Sequence, residues 1–166
     1  MRIEVERIIT LLDKLDITGI TLLSVKEADA LPLDIRGIGK PWWLRSPGGD
    51  DDYVAVVYGD GYVYINGHCV HDAYGVRPAL IVNLESSGLE IGDKFKLAEQ
   101  TWTIISDEYA LCDDIIDVRA FRYEDKAFDA NDFEKSDVKK FLKSWARENG
   151  IVQKEREKVG TQMCRL

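Results

Sequence analysis

Apolar positions recur at helical spacing at the start of the chain. Ile3, Ile8, Leu11, Leu12 and Leu15 share one stripe, with Glu4, Glu6, Arg7 and Lys14 largely elsewhere, which predicts a helix over 2–15 ending at Asp16 to Gly19. Ile20-Thr21-Leu22-Leu23 is then a short strand-like run. Ser24 and Glu27 have the Ser-x-x-Glu spacing of a capping box and open a second helix that Pro32 stops. Gly37 and Gly39 bracket a loop leading to Trp42-Trp43. From 53 to 71 the period changes to two, as in strands. Tyr53 to Tyr58 reads as one strand, and Gly59-Asp60-Gly61 as a tight turn. Tyr62 to Ile65 reads as a second strand, with Val63 and Ile65 on one face and Tyr62 and Tyr64 on the other. Asn66-Gly67 reads as a hairpin turn into a third strand, His68 to His71, because both residues tolerate positive φ. Val76 to Leu84 reads as a further strand, with Pro78 suited to an edge or a strand start. Glu85 to Gly92 is a turn-rich link, and three short strands follow at 94–97, 101–106 and 109–112. Ser136 caps a last helix whose Val138, Phe141, Leu142 and Trp145 form an apolar stripe, with Lys139, Lys140 and Lys143 facing out and Gly150 as its stop. Residues 151–166 form a charged tail.

The resulting fold class is α+β: a small mixed or antiparallel sheet flanked by two to three helices. The 166 residues suit one domain over 1–150, in two halves at 18–84 and 89–150. An apolar fraction of 45% is ordinary for a globular chain and needs no metal or disulfide staple. Cys69, Cys112 and Cys164 are odd in number and far apart, which points to a reducing compartment. No run approaches the roughly 18 apolar residues of a spanning helix, and the charged start does not resemble a signal peptide. The expectation is therefore a cytoplasmic protein without a membrane partner.

Charge sharpens this picture. The formal net charge is −8, which opposes direct nucleic-acid binding through clustered Lys and Arg. Between Arg45 and Arg77 there is no Lys, Arg, Glu or Gln; all the fixed charge is Asp, and five of the seven Tyr fall there. Tyr supplies stiff contact area, while Gly, Asn and Asp supply turns and adaptable hydrogen bonds, as in antibody paratopes. The candidate binding residues are Trp42, Tyr53, Tyr58, Tyr62, Tyr64, His68, His71, Asp72 and Tyr74. Tyr62 and Tyr64 lead the set; Trp42, Trp43, Trp102 and Trp145 read as core, with Trp42 expected to be the most exposed of the four. Arg45 and Arg77 are the only cations in the framing phrases. They read as structural guanidiniums bonding carbonyls and a carboxylate, with an anion clamp as the alternative.

No catalytic or cofactor signature accompanies this window. His68, Cys69, His71 and Asp72 are metal-ligating types, but a strand puts only Cys69 and His71 on one face, short of a zinc set. Asp50-Asp51-Asp52 lacks the spaced ligands of a tight calcium loop. Neither a P-loop, a dinucleotide fingerprint nor a Gly-x-Ser-x-Gly elbow occurs. The expectation is a non-enzymatic binder with no cofactor and no metal.

The window is framed by Trp42-Trp43-Leu44-Arg45-Ser46-Pro47-Gly48 and Gly75-Val76-Arg77-Pro78-Ala79-Leu80, with Val57, Gly61 and Val63 between them. These phrases resemble a widespread family of bacterial and phage proteins with no assigned activity. Leu22-Leu23-Ser24, Ile91 to Phe95, Trp102 with Ile104-Ile105, Ala110 to Asp113 and Ser136 to Phe141 also match, so the resemblance runs over roughly 18–150. It implies similarity to the C-type lectin-like variable domains of diversity-generating retroelement targets. The order of the two blocks differs from other members, which either a circular permutation or two subdomains divided near Glu85 to Gly88 would explain. Retroelements randomise adenines in codons that cannot yield Lys, Glu, Gln, Met or Trp, and none of these occurs from Gly48 to Gly75. The resemblance points to a phage accessory protein that engages a host protein, such as a CRISPR or other defence component. The alternative is capture of a small molecule or nucleotide signal between Tyr rings and the two Arg.

Overall fold

A computed structural model describes residues 15–123 and 130–151. The expected helix at 2–15 and the tail, with Cys164, lie outside the described residues.

The described chain is mainly β with some helix. Ten strands form two five-stranded sheets. In chain order they are β1 (Asp16–Thr21), β2 (Trp42–Pro47), β3 (Tyr53–Val57), β4 (Val63–Cys69), β5 (Ala73–Val76), β6 (Ala79–Asn83), β7 (Lys94–Leu97), β8 (Gln100–Ile104), β9 (Tyr109–Cys112) and β10 (Asp117–Ala120). One sheet has the order β1-β6-β9-β8-β7, and the other β10-β5-β2-β3-β4. Pairing is antiparallel except between β2 and β5, where Trp42 meets Gly75. The helices are α1 (Val25–Asp29), α2 (Leu33–Arg36) and α3 (Asp137–Glu148). None of the described helices is long and apolar enough to cross a membrane.

The two sheets correct the expectation of one small sheet. Each takes strands from both halves of the chain: β6 pairs β9, and β5 pairs β10. Division into subdomains near Glu85 does not describe this arrangement. The expected strand over Val76 to Leu84 is also two strands in different sheets, β5 ending at Val76 and β6 starting at Ala79. Pro78, which lacks an N–H, sits in the crossing, where no ladder bond is required.

Alternation along the central strands buries both faces. On β3, Val54 and Val56 enter one apolar cluster and Ala55 and Val57 another. On β2, Trp43 joins the first cluster, and Trp42 and Leu44 the second. The helix α3 closes the first cluster with Val138 and Leu142, and closes a third, around Trp102 and Phe95, with Ala146. Its expected cap holds: the Ser136 hydroxyl accepts the Lys139 N–H at 3.0 Å. Lys139, expected to face out, is half-buried. The capping box of α1 is closed at both ends, Glu27 N–H to Ser24 Oγ at 3.1 Å and Ser24 N–H to Glu27 Oε1 at 2.8 Å.

Candidate functional site

The two framing phrases make interior contacts. Arg45 meets Glu27 in a two-point ion pair, Nη1–Oε1 2.6 Å and Nη2–Oε2 3.1 Å, and donates to the Leu22 carbonyl at 2.6 Å. Ser46 Oγ accepts the Val25 N–H at 2.9 Å. The Arg-Ser of the first phrase therefore holds the start of α1. Partial burial acts to raise the Glu27 carboxyl, but Arg45 and the Ser24 N–H outweigh it and leave its pKa below the usual value.

Arg77 is 2% exposed. Its Nε donates to the Cys112 carbonyl at 2.7 Å, Nη1 to Ile35 at 2.8 Å and Nη2 to Asp113 at 3.4 Å, and the guanidinium lies 4.9 Å from the Trp42 ring centre. Burial pushes its pKa down to about 10, so it stays charged at neutral pH. Trp42 itself is fully buried and donates its indole N–H to the Arg36 carbonyl at 3.1 Å. This agrees with the core reading of the Trp residues and corrects only the ranking, since the most exposed of them is Trp145 and not Trp42. The strand that carries it is covered on both faces, which a local pattern of two adjacent Trp does not reveal.

The Tyr residues of the window assemble differently. Strand alternation puts Tyr58 on the Val54 and Val56 face of β3, and cross-strand pairing puts His68 opposite Val54 and Tyr64 opposite Val56. The rings of Tyr58 and Tyr64 stack at 5.3 Å, and Tyr58 also stacks with Tyr62 at 6.2 Å. His68 lies 5.5 Å from Tyr64 and 5.1 Å from Tyr74, and Tyr74 meets Trp43 edge-on at 5.0 Å. The Tyr58 hydroxyl and His68 Nε2 are hydrogen-bonded at 2.7 Å. Desolvation raises the pKa of Tyr58 and Tyr74, with neighbouring Tyr64 and Tyr62 adding to it at Tyr58, and Asp72 at Tyr74. Five rings, two from the segment joining β3 to β4 (Tyr58 and Tyr62), two from β4 and one from β5, thus form one continuous strip, whose outer end, Tyr62, is 59% exposed.

Asn66-Gly67 makes this strip possible in an unexpected way. It is not a hairpin turn: Val63 to Cys69 is one strand, and the pairing slips between Val54 and Val56. Three residues, 65 to 67, face the single residue Ala55 as a bulge. Gly67 takes φ +76°, and a Cβ there would lie 2.1 Å from the Val54 carbonyl oxygen. Four residues of regular strand would separate Tyr64 from His68 by roughly 13 Å along the chain; the bulge brings their rings to 5.5 Å. Positive φ at Gly serves a bulge as well as a turn, so the dipeptide alone did not distinguish them. The bulge also turns Ile65 outward, 65% exposed, where alternation with Val63 had predicted an inward side chain.

The other candidates fall around the strip. Tyr53 is half-buried and pairs with Cys69 at the start of β3, on the opposite face from Tyr58. His71 and Asp72 are exposed at the β4–β5 turn, and Cys69 Sγ lies 3.6 Å from His71 Nδ1. Asp50, Asp51, Asp52 and Asp60 are exposed. Beside Tyr62 opens a cleft of about 350 Å³ lined by Asp29, Leu33, Arg36, Asp60, Tyr62 and Val63. Arg36, whose Nε is buried without a hydrogen-bond partner, was not singled out from sequence, because α2 lies about 25 residues from the strand it meets. A second cleft of about 430 Å³ lies between α1 and the β8–β9 turn, lined by residues including Lys26, Leu31, Glu108 and Tyr109.

A family model described as a domain of unknown function, DUF6273, matches residues 13–84. That span holds β1 to β6, both framing phrases and the whole aromatic strip, and it agrees with the expected uncharacterised family over that part of the wider 18–150 resemblance. Comparisons with curated proteins and with solved structures found no match.

Proposed function

We propose that this chain is a non-enzymatic binding protein whose recognition surface is the strip Tyr62-Tyr58-Tyr64-His68-Tyr74. The observation that carries the reading is the mutual contact of these five rings at a partly exposed surface, with no Lys or Arg between residues 46 and 76. Aromatic side chains lose little rotamer entropy on binding and dominate contact energies at interfaces. The lectin-like resemblance and the phage accessory role are the finer form of this proposal, with a host defence protein as the partner. Their support is the framing phrases, the acidic charge and the composition of the window. Capture of partners from a bacterial lysate, compared between the native chain and a Tyr62→Ala/Tyr64→Ala variant, tests the reading. Loss of a partner in the variant is expected, and an unchanged set of partners overturns it.

A second reading, capture of a small ligand, draws on the cleft beside Tyr62 and its under-bonded Arg36. It does not draw on Arg45 and Arg77, whose donors are committed to Glu27 and to backbone carbonyls. A ligand at 100 times its dissociation constant adds about 2.7 kcal/mol to stability. A melting temperature that stays flat across nucleotides and small carboxylates rejects this reading.

A further inference from the structure

The fixed charges of the window that carries the strip have one sign. Asp50, Asp51, Asp52, Asp60 and Asp72 are all exposed, and they are the only fixed charges from residue 46 to 76. Asp72 acts directly on the Tyr74 hydroxyl. Arg36 and Arg119, from other segments, border the strip, and each is paired with a carboxylate within the chain. Arg36 bonds Asp29 at 3.4 Å, and Arg119, which pairs across from Tyr74, bonds Asp117 at 2.9 Å and lies over the Phe141 ring. Tyr rings present a negative π face, which attracts ammonium and guanidinium groups, and arginine also stacks flat on such rings.

We infer that the strip takes a basic segment of a partner protein, its Arg or Lys side chains lying on the Tyr58, Tyr62 and Tyr64 rings with Asp50 to Asp52, Asp60 and Asp72 as the counter-charged rim. This rests on the binding reading above and specifies the partner's chemistry. Charge complementarity favours such a segment over an acidic or neutral one. The acidic rim opposes phosphate-bearing ligands, and burying five carboxylates against an uncharged surface would leave them without compensation.

The probes are synthetic peptides of equal length with Arg-Gly, Gln-Gly and Glu-Gly repeats, and a neutral hexasaccharide, each titrated into the full chain and followed by residue-resolved NMR. The Arg-Gly peptide alone is expected to shift signals of Tyr58, Tyr62, Tyr64 and His68, and to weaken as salt is raised. Tyr62→Ala is expected to weaken it by about 2- to 30-fold, the range of one cation–π contact. This side chain is exposed, so the variant keeps its fold, which a melting curve checks. Asp51→Asn/Asp52→Asn should weaken it further, whereas Asp107→Asn/Glu108→Gln, the same charge change away from the strip, should not. Equal loss in both acidic variants, or no loss in Tyr62→Ala, means general attraction to an acidic chain and overturns the inference. Shifts at the strip with the neutral peptide, acidic peptide or sugar in place of the basic one also overturn it, while leaving the strip a binding surface. No shift with any probe overturns it as well, and lysate capture then judges the broader reading independently.

Discussion

Glu27 and Arg45 meet through two oxygens and two nitrogens, and the same carboxylate closes the capping box of α1. Arg45 thereby ties together groups 18 and 23 residues away in sequence, the Glu27 carboxylate at the helix start and the carbonyl of Leu22, and holds both to the β2 strand. Folded Glu27 titrates below its usual value of 4.5, so the fold binds this proton more weakly than the unfolded chain does. The stabilisation is complete above about pH 4.5 and is lost as pH falls through the folded value. Both side chains are about a quarter exposed, which screens the pair. Glu27→Gln should lower unfolding free energy by about 1–2 kcal/mol near neutral pH, measured by urea denaturation. The gap from the native chain should narrow in acid; a gap that is constant from pH 7 to pH 3 contradicts this assignment.

Arg77 is a buried cation held by three backbone carbonyls and a Trp face. Replacing it with Met keeps apolar volume but leaves the carbonyls of Ile35 and Cys112 without this donor. Each orphaned buried group costs about 1–3 kcal/mol, so Arg77→Met should cost on the order of 3 kcal/mol in total, read from denaturant midpoints. A neutral effect would show that water replaces the guanidinium.

Gly67 and Gly39 separate conformation from space. Both have positive φ, +76° and +80°, but a Cβ at Gly39 meets nothing within 4 Å, while at Gly67 it collides with Val54. Gly39→Ala should cost about 1–2 kcal/mol, the left-handed conformation alone. Gly67→Ala should cost clearly more and should disturb the Tyr64–His68 contact. Equal melting temperatures for the two variants would show that the bulge yields without strain.

What could be read along the chain depended on how far the deciding partner lay. The two capped helices were legible because Ser24 with Glu27, and Ser136 with the Lys139 N–H, lie within one turn. The strands at 94–97 and 109–112, and the one expected at 101–106 that runs from Gln100 to Ile104, were legible because short antiparallel neighbours carry their own alternation. The structural reading of Arg45 and Arg77 agrees with their carbonyl partners, although those partners could not be named. Ten strands in two sheets were not legible, since Val76, the end of β5, read as the start of the run that holds β6, and their separation depends on β10 and β9, more than 25 residues away. The strand β10 itself, Asp-Val-Arg-Ala, has too little apolar content to stand out. Of the site, the Tyr58, Tyr62, Tyr64 and Tyr74 set was visible as composition, but its convergence required the bulge.

The segment 13–84 spans the family match, yet two of its strands face partners beyond it. Without the rest of the chain β5 loses β10, β6 loses β9, and Trp43 and Val56 lose Val138 and Leu142. Expressed alone, 13–84 should lack a cooperative unfolding transition, and adding a separate 85–151 fragment should restore one, both followed by near-ultraviolet circular dichroism. A sharp transition from 13–84 alone would show that the later strands are an accessory layer.

β4 is the last strand of its sheet, and Tyr62, Ile65, Asn66, His71 and Asp72 project from it and its flanking turns into solvent. Replacements at such positions ordinarily change stability by less than about 0.5 kcal/mol, whereas those at Val54 or Val56 would open cavities. Inheritance can therefore rewrite the outer side chains in few steps while the interior stays unaltered. A chain altered at these positions need not first acquire extra robustness to survive the change.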